Sequence, residues 1–307
     1  MHRFTNILFS PLGDKDNPAA VRRLSELAGR NGAKLTLLGV VPGPTNLQSA
    51  LHRPHFFDDV QDAEVAAMAK RVNGWASKQD EAPVETATTV GSQALEIIDR
   101  AIVHGHDLVV VTTDEDRHDK ATIQRLLRKC PCPVWVIRPT RARTQRVLAA
   151  VNPDPDEADL NRTILELASS MVERFGGELH LIHAWEFYGE AMMRSSAFVR
   201  TTSADLDRFI LEERDTRARA LTDLLTATGL DDAAWKIHLE KGRPEDRVPQ
   251  VVAKSRINLL VMGTLARTGV SGVLIGNTAE RILDQVRCSV VAVKPPGFTS
   301  PLASSLK

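Results

Sequence analysis

The feature that most constrains this chain is an internal duplication. Residues 4–41 contain an apolar segment, ILFSPLGD, a helix-like stretch that ends near Gly32, and a second apolar segment, AKLTLLGVV. Residues 144–185 repeat this order as RVLAAVNPD, a helix-like stretch that ends near Gly177, and ELHLIHAW. The period of about 140–156 residues is much longer than the roughly 20–45 residues of a solenoid repeat. The sequence therefore predicts two copies of one domain.

The similarity of the two halves continues to the end of the chain. The segment VGSQALEIIDRAIVHGHDLVVVTT corresponds to KGRPEDRVPQVVAKSRINLLVMGT, and RKCPCPVWVIRP corresponds to DQVRCSVVAVKP. The last match aligns Cys132 with Cys288. With about 100–200 residues in a typical domain, a chain of 307 residues accommodates two. A polar linker around 140–145 sets the predicted domains at 1–143 and 144–307.

Each half alternates short apolar, β-branched segments with amphipathic ones. The apolar segments predict buried parallel strands. They lie at 5–11, 34–41, 83–90, 107–112, 133–138, 145–151, 178–185, 234–240, 258–263 and 289–294. Helices are expected to begin at Pro18, Ser92, Asp154-Pro155 and Arg243-Pro244, where capping residues or a proline suit a first turn. The alternation predicts an α/β fold of two tandem five-stranded, parallel, doubly wound domains.

The charge balance excludes some functions. The chain has 39 Lys and Arg against 39 Asp and Glu, so its formal net charge is zero. Proteins built mainly to hold nucleic acid or an anionic membrane usually need a net positive field. The first residues lack the apolar core of a signal peptide, and no run approaches the ~18 apolar residues of a membrane span. We therefore expect a cytoplasmic protein without nucleic-acid binding or stable membrane insertion.

The cysteines and histidines indicate structural rather than chemical roles. Cys130 and Cys132 are separated only by Pro131, which fits neither a CxxC redox pair nor a zinc knuckle. His180 and His183 lie three residues apart on one predicted strand and so face opposite sides of the sheet. We expect reduced, buried thiols, no metal site and no catalytic residue.

A glycine-rich loop follows the fourth strand of the second half. It reads MGTLARTGVSGVLIGNTAE and places four glycines in the fourteen residues 263–276. Glycine permits close approach of a ligand, and a helix starting at Asn277 would offer free N–H groups to a phosphate. Glu280 stands at the capping-box spacing from Asn277, and Arg267 and Arg281 would add charge-assisted contacts. The loop is not a Walker A motif, and it predicts an anion or nucleotide site or, alternatively, a flexible loop that caps the sheet edge.

The spacing of this loop resembles the signature of the universal stress proteins. ATP-binding members have Gly, two residues, Gly, nine residues, and Gly followed by Ser or Thr. Here the same spacing gives Gly263, Ala266 and Gly276-Asn277. The phrase GTLARTGVSGVLIGNTAERILDQVRC, the segment LLRKCPCPVWVIRP and the tandem layout are similar to the tandem-domain, E-type members. That resemblance implies domains that pair through their last strands and so form an internal pseudo-dimer.

The resemblance also implies a nucleotide site in the second half, with ATP as its cofactor. Asn152, followed by Pro153, stands where nucleotide-binding members have an Asp that holds the ribose and the adenine edge. Ala184 would line the adenine pocket. The positions matching the phosphate loop and the helix after it are Gly263, Thr264, Ala266, Arg267, Gly276, Asn277 and Thr278. Ala266 and Asn277 depart from the family pattern, because one adds a methyl group and the other replaces a hydroxyl.

The first half departs further from that pattern. Its fourth strand is followed by the acidic run Asp114-Glu115-Asp116, which would repel a phosphate. Leu12 occupies the position of the family's Asp. We therefore predict that this half has lost any nucleotide site and has a structural or partner-facing role.

Long connections follow the second strand of each half, at 42–57 and 186–202. They carry Phe56, Phe57, Phe187, Tyr188, Met192, Met193 and Phe198. Either they fold back over the core or the inter-domain groove, or they expose an apolar surface for an acyl-type ligand or a partner.

Three functions are compatible with the sequence. The first is a non-enzymatic stress-response binding protein whose second domain holds ATP or another phosphorylated ligand. The second is a nucleotide-free interaction or hydrophobic-ligand-binding protein that uses the inter-domain groove and the aromatic loops. The third is slow ATP hydrolysis or autophosphorylation, for which the sequence offers no evident base or carboxylate cluster for Mg²⁺. Partners would be a small phosphorylated ligand or a protein, with a homo-oligomer left open.

Overall fold

In the computed structural model, strands alternate with helices as the sequence predicts. The structure describes residues 4–12, 18–43, 58–113, 117–140, 142, 144–195, 202–230, 232–264 and 276–303. Contacts between Cα atoms divide the chain into two compact units. The described residues of the first unit fall in 4–139 and 289–303, and those of the second unit fall in 140–264 and 276–288.

The elements are numbered in chain order. The strands are β1 (Asn6–Pro11), β2 (Lys34–Val41), β3 (Val84–Val90), β4 (Leu108–Thr112), β5 (Val134–Ile137), β6 (Arg146–Ala150), β7 (Glu178–Trp185), β8 (Trp235–Lys241), β9 (Leu259–Gly263) and β10 (Ser289–Val293). The helices are α1 (Pro18–Asn31), α2 (Asp58–Ala76), α3 (Gln93–Val103), α4 (Arg117–Lys129), α5 (Ala158–Phe175), α6 (Glu190–Ser195), α7 (Ser203–Thr228), α8 (Pro244–Lys254) and α9 (Asn277–Gln285). A 3₁₀ turn, Pro155–Glu157, leads into α5.

In the first unit the strand order is β3-β2-β1-β4-β5-β10. β1 pairs in parallel with both β2 and β4, whereas β10 pairs antiparallel with β5. Val291 lies opposite Trp135 and Ala292 opposite Val134. By sequence β10 is the fifth strand of the second repeat, so the chain forms the last-strand pairing that the family resemblance implies.

In the second unit the order is β9-β6-β7-β8, and its strands run parallel. β6 pairs on one side with β7 and on the other with β9. The carboxyl ends of these strands therefore meet at one edge of the sheet, where doubly wound folds bind ligands.

All ten predicted strands are present in the described residues, and each of their ends lies within one residue of its prediction. The predicted helix starts are also confirmed. Pro18 and Pro244 are the first residues of their helices, Ser92 is the N-cap of α3, and Asp154 caps the 3₁₀ turn through its side chain.

The expected burial of the third strand of each repeat is wrong. β4 and β10 are buried along their whole length, but β3 and β8 are half-buried or exposed. Among the described strands, β3 pairs only with β2 and β8 only with β7, so one edge of each has no strand neighbour.

The turn into β7 depends on Gly177, whose φ of +133° favours glycine. A Cβ at this position would collide with the carbonyl oxygen of Gln145. That same oxygen accepts a hydrogen bond from the Glu178 backbone N–H at 2.9 Å. The pairing of β6 with β7 therefore brings the backbone of Gly177 close to that of Gln145.

We expect Gly177→Ala to lower the free energy of unfolding by about 2–4 kcal/mol, because it adds both backbone strain and a backbone collision. Gly176→Ala is the matched control. Its φ is +70°, no heavy atom of the described residues lies within 4 Å of the added Cβ, and the expected loss is about 1 kcal/mol. Urea unfolding followed by circular dichroism measures the stability of both variants. Equal losses would contradict the role assigned to Gly177 in the close approach to Gln145.

Candidate functional site

The predicted site residues that the structure describes lie at the carboxyl edge of β6, β7 and β9. Asn152 and Pro153 follow β6, Ala184 is the penultimate residue of β7, and Gly263 ends β9. The structure therefore brings together residues that are up to about a hundred positions apart in sequence, because the strands that carry them are parallel neighbours.

A backbone hydrogen bond joins the two ends of the glycine-rich loop. The N–H of Gly276 donates to the carbonyl oxygen of Thr264 at 2.9 Å, and Thr264 is fully buried. This bond holds the start of α9 beside the end of β9. Ala266 and Arg267 lie outside the described residues.

The cap of α9 differs from the prediction. Gly276 is the N-cap, with φ −59° and ψ 138°, and Asn277 is the first helical residue. The predicted capping box between Asn277 and Glu280 is therefore wrong, because Asn277 lies inside the helix rather than at its cap. Asn277 and Thr278 are exposed, so the first turn of α9 is accessible to a ligand that accepts backbone N–H bonds.

Asn152 is held by two side chains that the sequence analysis missed. Asn161 of α5 accepts the Asn152 backbone N–H at 3.3 Å and donates to the Asn152 carbonyl oxygen at 2.5 Å. The side-chain amide of Asn152 donates to Glu157 Oε1 at 3.3 Å. Asn161 is buried on the same helix face as Leu165 and Ala168, and this polar residue within an apolar stripe was the signal available in the sequence.

A second cluster connects β7 with α7. His183 is buried, with Nδ1 at 3.2 Å from the carbonyl oxygen of Val151 and Nε2 at 3.2 Å from Nη1 of Arg217. A carbonyl only accepts and a guanidinium only donates, so these partners assign a neutral ring with its proton on Nδ1. Burial and the charge of Arg217 outweigh the bond to Val151 and lower the pKa of His183 to about 4.

Arg217 brings a positive charge to the end of β7. Its Nη2 lies 2.7 Å from Glu213 Oε1, and its guanidinium carbon lies 5.7 Å from the ring centroid of Trp185. Trp185 is buried, and within the described ranges its indole N–H has no hydrogen-bond partner. Arg217 therefore lies against His183 and Trp185 at the end of β7, although the sequence gave no signal for this cluster.

Arg281, by contrast, is engaged elsewhere. Its Nη1 lies 3.0 Å from Glu245 Oε1, and this ion pair links α9 to α8. The guanidinium would have to leave Glu245 to make the predicted contact with a ligand.

His180 and His183 contact different neighbours, as their spacing predicts. Nδ1 of His180 lies 2.9 Å from Nε2 of His238, and its Nε2 lies 3.4 Å from Glu178. Across the residues that the structure describes, no group of three or more His, Cys, Asp or Glu side chains is arranged to hold a metal ion.

At the corresponding edge of the first unit, two side chains lie at the end of β1. Leu12, at the family's Asp position, is buried. The side-chain amide of Gln93 donates to the carbonyl oxygen of Pro11 at 2.9 Å, at the end of β1. The acidic run 114–116 lies outside the described residues.

Part of the second aromatic connection is exposed. Tyr188 is 96% exposed and Met192 is 61% exposed, whereas Phe187 is half-buried. Phe56, Phe57 and Phe198 lie outside the described residues.

Comparison with known proteins identifies the class. The sequence profile of the Universal stress protein family matches residues 4–138 and again residues 143–294. The chain therefore belongs to the universal stress protein family, as a protein with two such domains in tandem.

The similarity extends along the whole chain to E-type members. The protein is 26% identical to Universal stress protein E of Photorhabdus laumondii over 331 aligned residues, covering 99% of both chains. It is 25% identical to Universal stress protein E of Escherichia coli K12 over 321 residues, covering 98% of both. A crystal structure of a functionally unknown protein from Pseudomonas aeruginosa PAO1 matches with a TM-score of 0.68 and 25% identity, covering 99% of this chain and 96% of that one. The tandem E-type resemblance predicted from the sequence is confirmed.

Among the described helices, none combines the length and the apolarity that crossing a bilayer requires.

The low pKa of His183 makes stability depend on pH. The unfolded imidazole has a pKa of ~6.5, so below that pH the unfolded state binds a proton that the native state does not. This contribution to stability is complete above pH ~6.5 and declines as the pH falls towards the folded value of about 4. We expect His183 alone to lower the free energy of unfolding by about 2 kcal/mol between pH 7 and pH 5.

His183→Gln isolates this effect, because a glutamine amide donates and accepts hydrogen bonds but does not titrate. The measurement is urea unfolding of both proteins at pH 7 and pH 5. If the variant loses as much stability as the wild type between pH 7 and pH 5, His183 is not the source of the pH dependence.

Proposed function

We propose that the second repeat binds ATP or another phosphorylated small molecule at the carboxyl edge of β6, β7 and β9. The observation that carries the proposal is the bond from Gly276 to Thr264, which sets the exposed start of α9 beside the end of β9. Backbone N–H groups at a helix start, together with the helix dipole, favour a phosphate.

In this proposal the ligand's parts contact different strands. The phosphates lie over Gly263, Thr264, Ala266, Arg267, Gly276, Asn277 and Thr278. The base lies near Ala184, at the end of β7. The sugar lies near Asn152 and Pro153.

Glu157 supports this arrangement, because it supplies a carboxylate where Asn152 lacks one. Family members that bind nucleotides use an Asp at the Asn152 position, and an amide is a weaker acceptor for sugar hydroxyls than a carboxylate. The Asn152 side chain points its amide at Glu157 Oε1. Asn152 therefore holds Glu157 at the edge, and the carboxylate of Glu157 would accept the ribose hydroxyls.

We assign this binding role to residues 144–307, and to residues 1–143 a structural or partner-facing role, supported by the buried Leu12 at the Asp position. The protein then acts without turnover as a cytoplasmic stress-response binding protein. The bound ligand changes its conformation or its affinity for a partner.

Gly276→Val should weaken this binding, because the branched side chain stands between the start of α9 and the ligand. We expect ATP to bind the full-length wild type in isothermal titration calorimetry, and the dissociation constant to rise by at least about tenfold in the variant. Gly74→Val is the matched control, since the described residues leave open space around a Cβ there. A wild-type protein that is purified free of any phosphorylated ligand and ignores added ATP would overturn the proposal.

The ribose role of Glu157 has its own readout. The wild type should prefer ATP over 2′-deoxy-ATP by about tenfold, the size of one charge-assisted hydrogen bond. Glu157→Gln should bind both equally. A preference that persists in the variant would place the ribose elsewhere, while leaving the phosphate assignment of Gly276 intact.

The exposed Tyr188 and Met192 favour a second candidate, a nucleotide-free protein that binds an apolar ligand or partner. If this candidate is correct, a fluorescent fatty-acyl probe binds the wild type and binds the double variant Tyr188→Ser, Met192→Ser at least about tenfold more weakly. Val103→Ser is the control, because Val103 is 62% exposed in the first unit. No probe binding by the wild type would reject the candidate.

A further inference from the structure

Two buried cysteines outside the proposed ligand site form a close pair. Cys130 directly follows α4, and its backbone N–H donates to the carbonyl oxygen of Leu126 at 2.9 Å. Cys132 leads into β5. Their Sγ atoms are 3.7 Å apart, the residues are 0% and 7% exposed, and no disulfide joins them.

A buried cation lies across the strand pairing from these thiols. In the antiparallel register of β5 and β10, Ala292 lies opposite Val134. Lys294, two residues further along, therefore comes level with Cys132. The side chain of Lys294 is buried, and it acts electrostatically on both Cys130 and Cys132.

Within the described residues, the ammonium group of Lys294 has two further contacts besides the thiols. It donates to the carbonyl oxygen of Leu127, at the end of α4, and lies 4.8 Å from the ring centroid of Phe298. Burial lowers the pKa of Lys294 to about 8, against the opposing effect of negative charge on the two thiols.

The two thiols differ in acidity. Burial opposes ionisation of Cys130, but the S–H of Cys132, the backbone N–H of Cys132 and the charge of Lys294 outweigh it, so the pKa of Cys130 is lowered. The hydrogen bond to Cys130, followed by burial, raises the pKa of Cys132 well above its usual range. This asymmetry makes Cys130 the more readily ionised of the two thiols and therefore the better nucleophile.

We propose that Cys130 and Cys132 form a peroxide-responsive dithiol that closes to a disulfide beside the β5–β10 pairing. The sequence suggested inert thiols because CxC is not a CxxC motif, but the 3.7 Å separation of the two sulfurs and the buried Lys294 across the strand pairing support this chemistry.

The reaction balances with hydrogen peroxide as the oxidant. The Cys130 thiolate attacks one peroxide oxygen, the O–O bond breaks, and the departing hydroxide takes up a proton to become water. Sγ of Cys132 then attacks the Cys130 sulfenic acid, forming the S–S bond, and the hydroxide that leaves takes the Cys132 proton. Two thiols and one peroxide thus give one disulfide and two waters, with both sulfurs oxidised and the peroxide reduced.

Closing the disulfide has a consequence for Lys294. It removes the negative charge that the thiols can present to the buried ammonium group, so the pKa of Lys294 falls further. The sulfurs must also approach from 3.7 Å to about 2.05 Å, which draws the end of α4 towards the start of β5.

The test is a peroxide titration of the reduced, full-length protein, followed by alkylation of the remaining thiols and peptide mass spectrometry. We expect two of the three cysteines to become resistant to alkylation and the peptide containing Cys130 and Cys132 to lose two hydrogens. Cys288→Ser should behave like the wild type. Cys132→Ser should stop at a sulfenic acid on Cys130 that dimedone traps.

The role of Lys294 is tested by rate. Lys294→Met should raise the pKa of Cys130 and slow the reaction at neutral pH, by about threefold for each tenfold loss of thiolate, because a thiolate of higher pKa is also more nucleophilic. The wild-type profile of rate against pH gives an independent measurement, since it should level off below the usual thiol pKa even if the variant does not fold.

Three results would overturn the proposal. One is that Cys130 and Cys132 still react with the alkylating reagent at peroxide concentrations that oxidise Cys288. Another is that the disulfide joins Cys288 to either of them. The third is that oxidation occurs only after circular dichroism shows loss of the fold.

Discussion

The first strand of each repeat is paired in parallel on both of its edges, and the rest of the structure depends on this pairing. β1 bonds to β2 and β4, and β6 bonds to β7 and β9. The pairing satisfies the backbone of a strand that is buried from water on both faces. Parallel neighbours also require crossover helices, and they bring the carboxyl ends of the strands to one edge. Doubly wound sheets in general bind ligands at that edge.

The two repeats show how one fold gives different chemistry at the same edge. After β1 the chain places the apolar Leu12 in the interior. After β6 it places Asn152, which Asn161 holds through two hydrogen bonds and which in turn contacts Glu157. Both arrangements leave the strands unchanged, because the difference lies in residues that follow the strand rather than in the strand itself.

Buried ionisable groups in this protein depend on partners that are distant in sequence. His183 stays neutral between Val151 and Arg217, and Lys294 donates to Leu127, which is 167 residues away. A buried charge or polar group is costly unless another group satisfies it. These contacts therefore couple local protonation and oxidation chemistry to the integrity of strand and helix packing.

The sequence by itself determined the duplication and the positions of the strands, since the periodic burial of apolar residues is a local property of the chain. It also placed Asn152, Ala184, Gly263 and Gly276 at one edge, because their strands were predictable and parallel strands end together. The predicted N-cap of α9, Asn277, is one residue beyond the observed N-cap, Gly276. Both residue types are acceptable caps, and the hydrogen bond from Gly276 to Thr264 selects between them.

The tertiary structure alone decided which side chains meet. The exposure of β3 and β8 follows from strand order, which local periodicity does not encode. Arg217 reaches His183 across 34 residues, and Lys294 comes level with Cys132 only because β10 pairs with β5. Contacts of this kind arise from the register between elements, and register is set by the packing of the whole fold rather than by any single segment.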